Sequence, residues 1–207
     1  MDVNQVRLVD EFTKLVAIDS PSYYERQMGD YVKNRLSKLG MVVIEDDAGE
    51  KIGGSCGNIY GYHKGGAGAQ PLLFCAHLDT VEPSSGKQAV IGADGTITSR
   101  GNTVLGADDL AGVASILEAL TVITEKNLPH GPIEVLFTVA EEVYCKGSAE
   151  FDFTKVLSEQ AYVLDLEGRV GTAAYTAPSI LSFTARVRGK SSHAGFAPDK
   201  GIHAIAA

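Results

Sequence analysis

The sequence is poor in cysteine, in positive charge and in long apolar runs, and each shortage argues against a class of protein. Its three cysteines are odd in number and lack CxxC spacing, which argues against a disulfide framework or a thiolate zinc site. A formal net charge of −8 argues against nucleic acid or an anionic membrane as a partner, because both attract basic patches. No apolar run approaches a membrane span, and the N-terminal residues lack the features of a secretory signal. We therefore expect a cytoplasmic protein.

The apolar residues that are present predict an α/β fold. Helical spacing alternates along the chain with short continuous apolar runs, and such runs are typical of strands covered on both faces by helices. The predicted strands cover residues 41–45, 58–62, 72–76, 133–140 and 161–164, and the predicted helices cover residues 6–16, 28–39, 110–123 and 148–157. The last three strands should form the centre of the sheet. Their alternation with helices indicates a doubly wound, mostly parallel sheet.

The pattern changes after residue 171. Residues 180–188 show an imperfect alternation that is typical of a half-exposed strand, and residues 201–207 begin a helix. We expect a domain boundary here. Residues 1–176 would form a metal-binding α/β domain, and residues 177–207 would begin a small, incomplete α+β domain.

Metal-binding side chains stand beside the predicted strand ends. They are His77 and Asp79 after the third strand, Asp108 and Asp109 before a helix, Glu141 and Glu142 after the fourth strand, and Asp165 after the fifth. Open α/β sheets bind ligands in the crevice beyond the carboxyl ends of their strands, where these side chains would meet. One imidazole and several carboxylates suit zinc, cobalt or manganese, and a shared carboxylate allows a paired site.

Taken singly, each group has a plainer explanation. His77 and Asp79 could be a hydrogen-bonded surface pair, although Asp79 could also accept the N–H of the second imidazole nitrogen and fix the tautomer of a ligand. Either Asp108 or Asp109 could cap the following helix, and the paired glutamates could form a solvated loop. Their joint occurrence at equivalent ends of predicted elements favours a metal site.

In order and spacing, these motifs resemble the co-catalytic dizinc exopeptidases, and most closely the peptidase T-like branch. The matching segments are His77-Leu78-Asp79, Gly106-Ala107-Asp108-Asp109-Leu110-Ala111-Gly112, Glu141-Glu142, Asp165 and Gly189-Lys190-Ser191-Ser192-His193-Ala194-Gly195. The resemblance implies a metallo-aminopeptidase or tripeptidase that cleaves short peptides with two divalent ions, zinc first and cobalt or manganese as alternatives. A carboxypeptidase or an N-acyl-amino-acid hydrolase of the same family is an alternative. From another class, a catalytically silent fragment or binding module is also open.

The same resemblance implies metal ligands among the matching residues. They are His77, Asp108, Glu142 and Asp165. Asp108 would bridge two ions, the first shared with His77 and Asp165 and the second with Glu142.

The catalytic roles come from the resemblance as well. Asp79 would orient His77, Glu141 would be the general base, and His193 in a lid domain would donate to the developing oxyanion. In dimeric relatives this histidine acts across the subunit interface, so a homodimer through the lid domain is one expectation. Family members continue well past this length, to a further metal-binding histidine. The sequence is therefore expected to be a member truncated after the start of the lid.

Overall fold

The computed structural model describes residues 3–66 and 68–206, and the chain divides into two units between Ala173 and Ala174. Met1, Asp2, Ala67 and Ala207 lie outside the described residues. The first residues of the expected domain 1–176 and the last residue of the expected domain 177–207 are therefore among those not described. Helix and strand are concentrated in the first unit. The assignment of the second unit to a lid domain stays a prediction.

The first unit contains short strands and helices that alternate along the chain. The helices are α1 (Gln5–Val16), α2 (Arg26–Lys38), α3 (Ala48–Ile52), α4 (Ala107–Glu125) and α5 (Lys146–Ala149). The strands are β1 (Val42–Glu45), β2 (Ile59–His63), β3 (Leu72–His77), β4 (Ala89–Ile91), β5 (Ile97–Ser99), β6 (Ile133–Thr138) and β7 (Ala161–Val163). The α/β fold expected from the sequence is confirmed.

The main sheet is mixed, with strand order β1-β2-β6-β3-β7. Strands β6, β3 and β7 are parallel, whereas β1 pairs with β2 and β2 pairs with β6 in antiparallel fashion. The parallel arrangement is therefore confined to one side of the sheet. Strands β4 and β5 form a separate antiparallel hairpin.

The two faces of the sheet pack against different clusters. In β6, Val135 and Phe137 join the larger core with α1, α2 and α4, while Leu136 joins a smaller cluster with Phe151 on the other face. Side chains alternate between faces along a strand, so one apolar strand can serve both clusters. This double coverage explains why β6 is buried along its whole length.

Two expectations about this unit are wrong. The run over residues 161–164 does not lie at the centre of the sheet, because β7 is an edge strand whose three residues are all exposed. An apolar run indicates a strand without showing what covers it. The helix expected over residues 148–157 is reduced to the single turn of α5 and a 3₁₀ turn at Phe153–Lys155.

The second unit has little regular structure. Between residues 174 and 206, the structure shows one bridge, between Lys190 and Ile202, and a 3₁₀ turn at Pro198–Lys200. The strand expected over residues 180–188 and the helix expected from residue 201 are absent from this described part. A strand needs a neighbour to pair its backbone groups, and the described part of this unit provides none for residues 180–188.

Within residues 3–66 and 68–206, none of the helices combines the length and apolar character that a membrane crossing requires.

Candidate metal centre

The parallel strands bring three of the sequence motifs to one edge of the sheet. His77 is the last residue of β3, Glu141 follows β6, and Asp165 follows β7. Cys75 pairs with Val163, so the continuing register places Asp165 beside His77. The topology therefore assembles side chains that are far apart in the sequence, as the crevice rule for α/β sheets predicts.

The imidazole of His77 is buried and fixed by hydrogen bonds at both ring nitrogens. Its Nδ1 lies 2.8 Å from the carbonyl oxygen of Asp79, and its Nε2 lies 3.0 Å from Oδ1 of Asp108. A carbonyl oxygen can only accept, so Nδ1 carries the proton. The Asp108 carboxylate also only accepts, so Nε2 carries a proton in this contact. To bind a metal, Nε2 would release that proton and present its lone pair, while the hydrogen bond at Nδ1 keeps the ring in place.

Three potential ligand atoms lie close together. One atom each from His77, Asp108 and Asp165 falls within 4.8 Å of the other two. Buried His77 provides the nitrogen, while the Asp108 and Asp165 carboxylates are open to solvent. One imidazole and two carboxylates make a donor set that zinc, cobalt and manganese accept. These residues therefore fit a divalent cation.

Asp108 and Asp109 have different roles at the start of α4. Both have non-helical backbone angles, and the peptide bond between them is cis. The carboxylate of Asp109 is buried and accepts the backbone N–H groups of His77 and Gly112. Asp109 thus caps the regular part of α4 and ties it to β3, while Asp108 faces the cluster.

Glu141 and Glu142 lie in the loop after β6. Oε2 of Glu141 is 3.8 Å from Nε2 of His77, and Oε1 accepts the thiol hydrogen of Cys145 at 3.3 Å. Glu142 does not belong to the three-residue cluster, but it lines a cleft of about 300 Å³ together with Asp108. Glu141 is therefore beside the imidazole, and Glu142 is on the neighbouring wall.

The carboxylate of Asp79 has partners that the sequence did not predict. It lies 3.5 Å from Nδ1 of His77, but its oxygens also accept the backbone N–H groups of Glu141 and Glu142 at 2.9 and 3.1 Å. The hydroxyl of Ser22 donates to it as well. Asp79 therefore fixes the glutamate loop, while its own backbone carbonyl fixes the imidazole.

Burial and neighbouring charges shift the pKa values of several groups at the site. Burial, aided by the charge of Asp165, raises the pKa of Asp109 to about 8. Burial and the nearby Asp108 carboxylate also raise the pKa values of Glu142 and Asp165. Burial lowers the pKa of His77, but its hydrogen bonds with Asp79 and Asp108 outweigh this effect and raise it to about 10. A bound cation would offset this excess of negative charge.

His193 belongs to the second unit and is exposed. Its Nδ1 accepts the backbone N–H groups of Gly195 and Phe196 at 3.1 and 3.2 Å. In the neutral ring, the proton is therefore on Nε2, which is free of these contacts and can donate a hydrogen bond.

Comparison with known proteins identifies the family to which these motifs belong. The profile of peptidase family M28 matches residues 58–196, which is well over half of the chain. The chain belongs to peptidase family M28. The matched segment begins at Asn58, immediately before β2, and ends beyond His193, so it includes every metal-site residue named above.

Curated relatives place this M28 chain near peptidase T. The uncharacterized protein YqjE of Bacillus subtilis is 39% identical over 203 residues, covering 98% of this chain and 54% of YqjE. Peptidase T of Escherichia coli O1:K1 is 40% identical over 109 residues, covering 53% of this chain and 26% of that protein. The resemblance to the peptidase T-like branch is confirmed.

Solved structures agree with this placement. The aminopeptidase PepT from Bacillus cereus superimposes with a TM-score of 0.79 at 36% identity, covering 99% of this chain and 55% of that one. A tripeptidase from Staphylococcus aureus superimposes with a TM-score of 0.81 at 30% identity, covering 99% and 54%. The chain therefore spans about half the length of the relatives that it matches over nearly all of its own length.

Proposed function

We propose that this M28 chain carries the catalytic centre of a metal-dependent exopeptidase, a peptidase T-like aminopeptidase that hydrolyses short peptides. One observation carries the proposal: the ligand atoms of His77, Asp108 and Asp165 lie within 4.8 Å of one another at the carboxyl edge of the sheet. The similarity to a PepT aminopeptidase and to a tripeptidase supports short peptides as substrates. A cytoplasmic location, expected from the sequence, is part of the proposal.

The residues would hold two divalent ions, with zinc as the first choice and cobalt or manganese as alternatives. His77 and Asp165 would bind one ion, Glu142 would bind the other, and Asp108 would bridge them. The shared cleft of Asp108 and Glu142, and the effect of Asp108 on the pKa of Glu142, support this division. When bound, such ions polarise the scissile carbonyl and lower the pKa of the attacking water.

Glu141 would act as the general base. Its carboxylate is 3.8 Å from Nε2 of His77, so it lies beside the proposed metal ligands. The side chain is also partly exposed to solvent, so water can reach it. A base in this position can take a proton from the attacking water and then deliver it to the leaving amine. The S–H group of Cys145 donates to one carboxylate oxygen and leaves the other to accept this proton.

His193 would stabilise the developing oxyanion. The two backbone N–H groups on its Nδ1 favour the tautomer with the proton on Nε2, which suits a hydrogen-bond donor. The resemblance to dimeric family members suggests where this donor would act. It would reach the site of the other subunit across a homodimer interface formed by the lid domain.

The substitution Glu141→Gln tests this function. Removing a general base lowers the catalysed rate by about 10²- to 10⁴-fold, and the ligands proposed for the ions stay intact. We expect hydrolysis of di- and tripeptides, measured with added zinc, cobalt or manganese, to fall by this amount while the number of bound ions stays unchanged. Glu159→Gln, at an exposed position before β7, is the matched control and should keep the wild-type rate.

Equal rates for wild type and Glu141→Gln would contradict the assignment of the base. Ion binding without hydrolysis of any peptide by the wild-type chain would instead favour a silent fragment or binding module.

A further inference from the structure

Four consecutive backbone N–H groups after β6 are held by side chains rather than by secondary structure. The N–H of Val139 donates to Asn58 at 3.2 Å, and the N–H of Ala140 donates to Glu25 at 2.9 Å. The N–H groups of Glu141 and Glu142 donate to the two carboxylate oxygens of Asp79 at 2.9 and 3.1 Å. Strand β6 ends at Thr138 and α5 begins at Lys146. The segment that carries the proposed base is therefore outside any strand or helix, yet each of these four donors has a partner.

The three acceptors are fully buried and come from separate parts of the chain. Glu25 precedes α2, Asn58 precedes β2 and Asp79 follows β3, and each has 0% exposure. Burying a polar side chain is costly unless hydrogen bonds compensate. Three such residues around one short segment indicate that the position of its backbone matters.

Glu25 is the least expected member of this group. Oε1 accepts the N–H groups of both Ala140 and Tyr23, while Oε2 is buried without a hydrogen-bond partner among the described residues. Burial raises the pKa of Glu25. Glu25 thus connects the loop before α2 to Ala140, which has a positive φ of 50° immediately before Glu141.

We propose that Glu25 is a positioning residue that sets the backbone of residues 140–142 and so aims Glu141 and Glu142 into the metal centre. The inference rests on the proposed function for the roles of the two glutamates. The anchoring of the segment is a separate physical claim, and it can be measured without any catalytic activity.

The matched variants Glu25→Met and Glu25→Gln separate the effect of losing the hydrogen-bond acceptor from the effect of changing the side-chain volume. Methionine has a similar size but accepts no strong hydrogen bond, whereas glutamine keeps one carbonyl oxygen for the two amides. Hydrogen exchange of the backbone amides, measured on the chain itself by NMR, reports directly on Ala140. We expect its exchange to be about tenfold or more faster in Glu25→Met, and close to wild type in Glu25→Gln.

A second buried glutamate provides the control for a general loss of packing. Glu134, near the start of β6, also has 0% exposure and accepts the backbone N–H groups of Leu157 and Ser158, which lie outside the glutamate loop. The shortest contacts of the two amides are to different oxygens of Glu134, so glutamine leaves one of them without its nearer acceptor. We expect Glu134→Gln to speed exchange at residue 157 or 158 and to leave residues 140–142 protected.

The kinetic prediction differs from that of a merely structural role. With peptide substrate and added cation, Glu25→Met should lower kcat by about 10- to 100-fold with little change in KM, and Glu25→Gln should restore it. Glu134→Gln should leave both constants close to wild type.

The exchange data decide the positioning claim, and activity decides the function. Unchanged protection of Ala140 in Glu25→Met would overturn the positioning claim, whether or not peptides are cleaved. If Glu25→Met does not fold, exchange in the wild type tests the claim. The backbone amides of residues 140–142 should then exchange as slowly as those in the core of β6. Exchange as fast as that of the exposed residues 166–172 would overturn the claim. Unchanged protection with a normal wild-type rate would leave the proposed function standing without this role for Glu25.

Discussion

The imidazole of His77 illustrates how single hydrogen bonds prepare the site. The backbone carbonyl of Asp79 accepts from Nδ1, and this contact directs the other nitrogen to Asp108. The motif predicted that Asp79 would assist His77. It could not predict that the carboxylate of Asp79 would hold the glutamate loop, because that contact joins residues more than 60 positions apart.

Glycine at position 147 allows α5 to pack directly on the end of β6. A Cβ atom there would lie 2.1 Å from the carbonyl oxygen of Val139 and 2.8 Å from Oδ1 of Asn58. Asn58 accepts the backbone N–H of Val139 at the start of the segment that leads to Glu141, so moving either group would disturb this hydrogen bond. We expect Gly147→Ala to lower the free energy of unfolding by about 1–3 kcal/mol, as overpacking of a buried site does.

Urea unfolding measures this effect, and Gly66→Ala is the control. A Cβ atom at Gly66 would meet nothing within 4 Å, so this variant should be as stable as the wild type. Equal stability of Gly147→Ala and Gly66→Ala would show that the close approach at position 147 is not constrained.

At the level of elements, α2 is joined to β1 through Glu45. Its carboxylate lies in ion pairs with Arg26 and Lys33, both on α2. Burial alone would raise the pKa of Glu45, but the hydrogen bonds from these two residues outweigh it and lower the pKa to about 2.

This shift predicts a dependence of stability on pH. The folded pKa lies below the ordinary value of 4.5, so the stabilising contribution is complete above pH 4.5 and is lost as the pH falls towards 2. We expect the free energy of unfolding to fall more steeply over this range in the wild type than in Glu45→Gln. Glu50→Gln, at an exposed position on α3, should follow the wild type. Parallel curves for wild type and Glu45→Gln would show that the ion pairs contribute nothing.

Periodicity predicted the long helices well and the short elements poorly. The apolar stripes of α1, α2 and α4 each extend over several turns, so a local pattern was sufficient to locate them. The region over residues 148–157 failed because Phe151 and Val156 pack on the second face of the sheet from irregular backbone. For β7, the apolar run gave the strand itself but not its place at the edge.

At the level of the whole molecule, the candidate site follows from topology more than from any single motif. The parallel pairing of β3 with β6 and β7 brings His77, the loop of Glu141 and Asp165 to one edge. The sequence predicted this assembly because strand ends in an α/β sheet converge. It did not predict that β1 and β2 would be antiparallel, since a hydrophobic run has no direction.

The second unit shows the limit of local patterns. The alternation over residues 180–188 predicted a strand, but strands form by pairing, and the described part of this unit supplies no partner for that segment. The proposed role of His193 therefore depends on the resemblance and on the tautomer set by its own loop.

Cation binding by the metal-free chain tests the central claim most directly. Isothermal titration with Mn²⁺ or Zn²⁺ should show saturable binding in the wild type, and the ion should raise the unfolding temperature, since a ligand of the folded state stabilises it by about 2.7 kcal/mol at 100 times its Kd. His77→Ala should lose both effects. His130→Ala, which removes a half-buried histidine from the loop before β6, should keep them. Equal binding by wild type and His77→Ala would contradict the account.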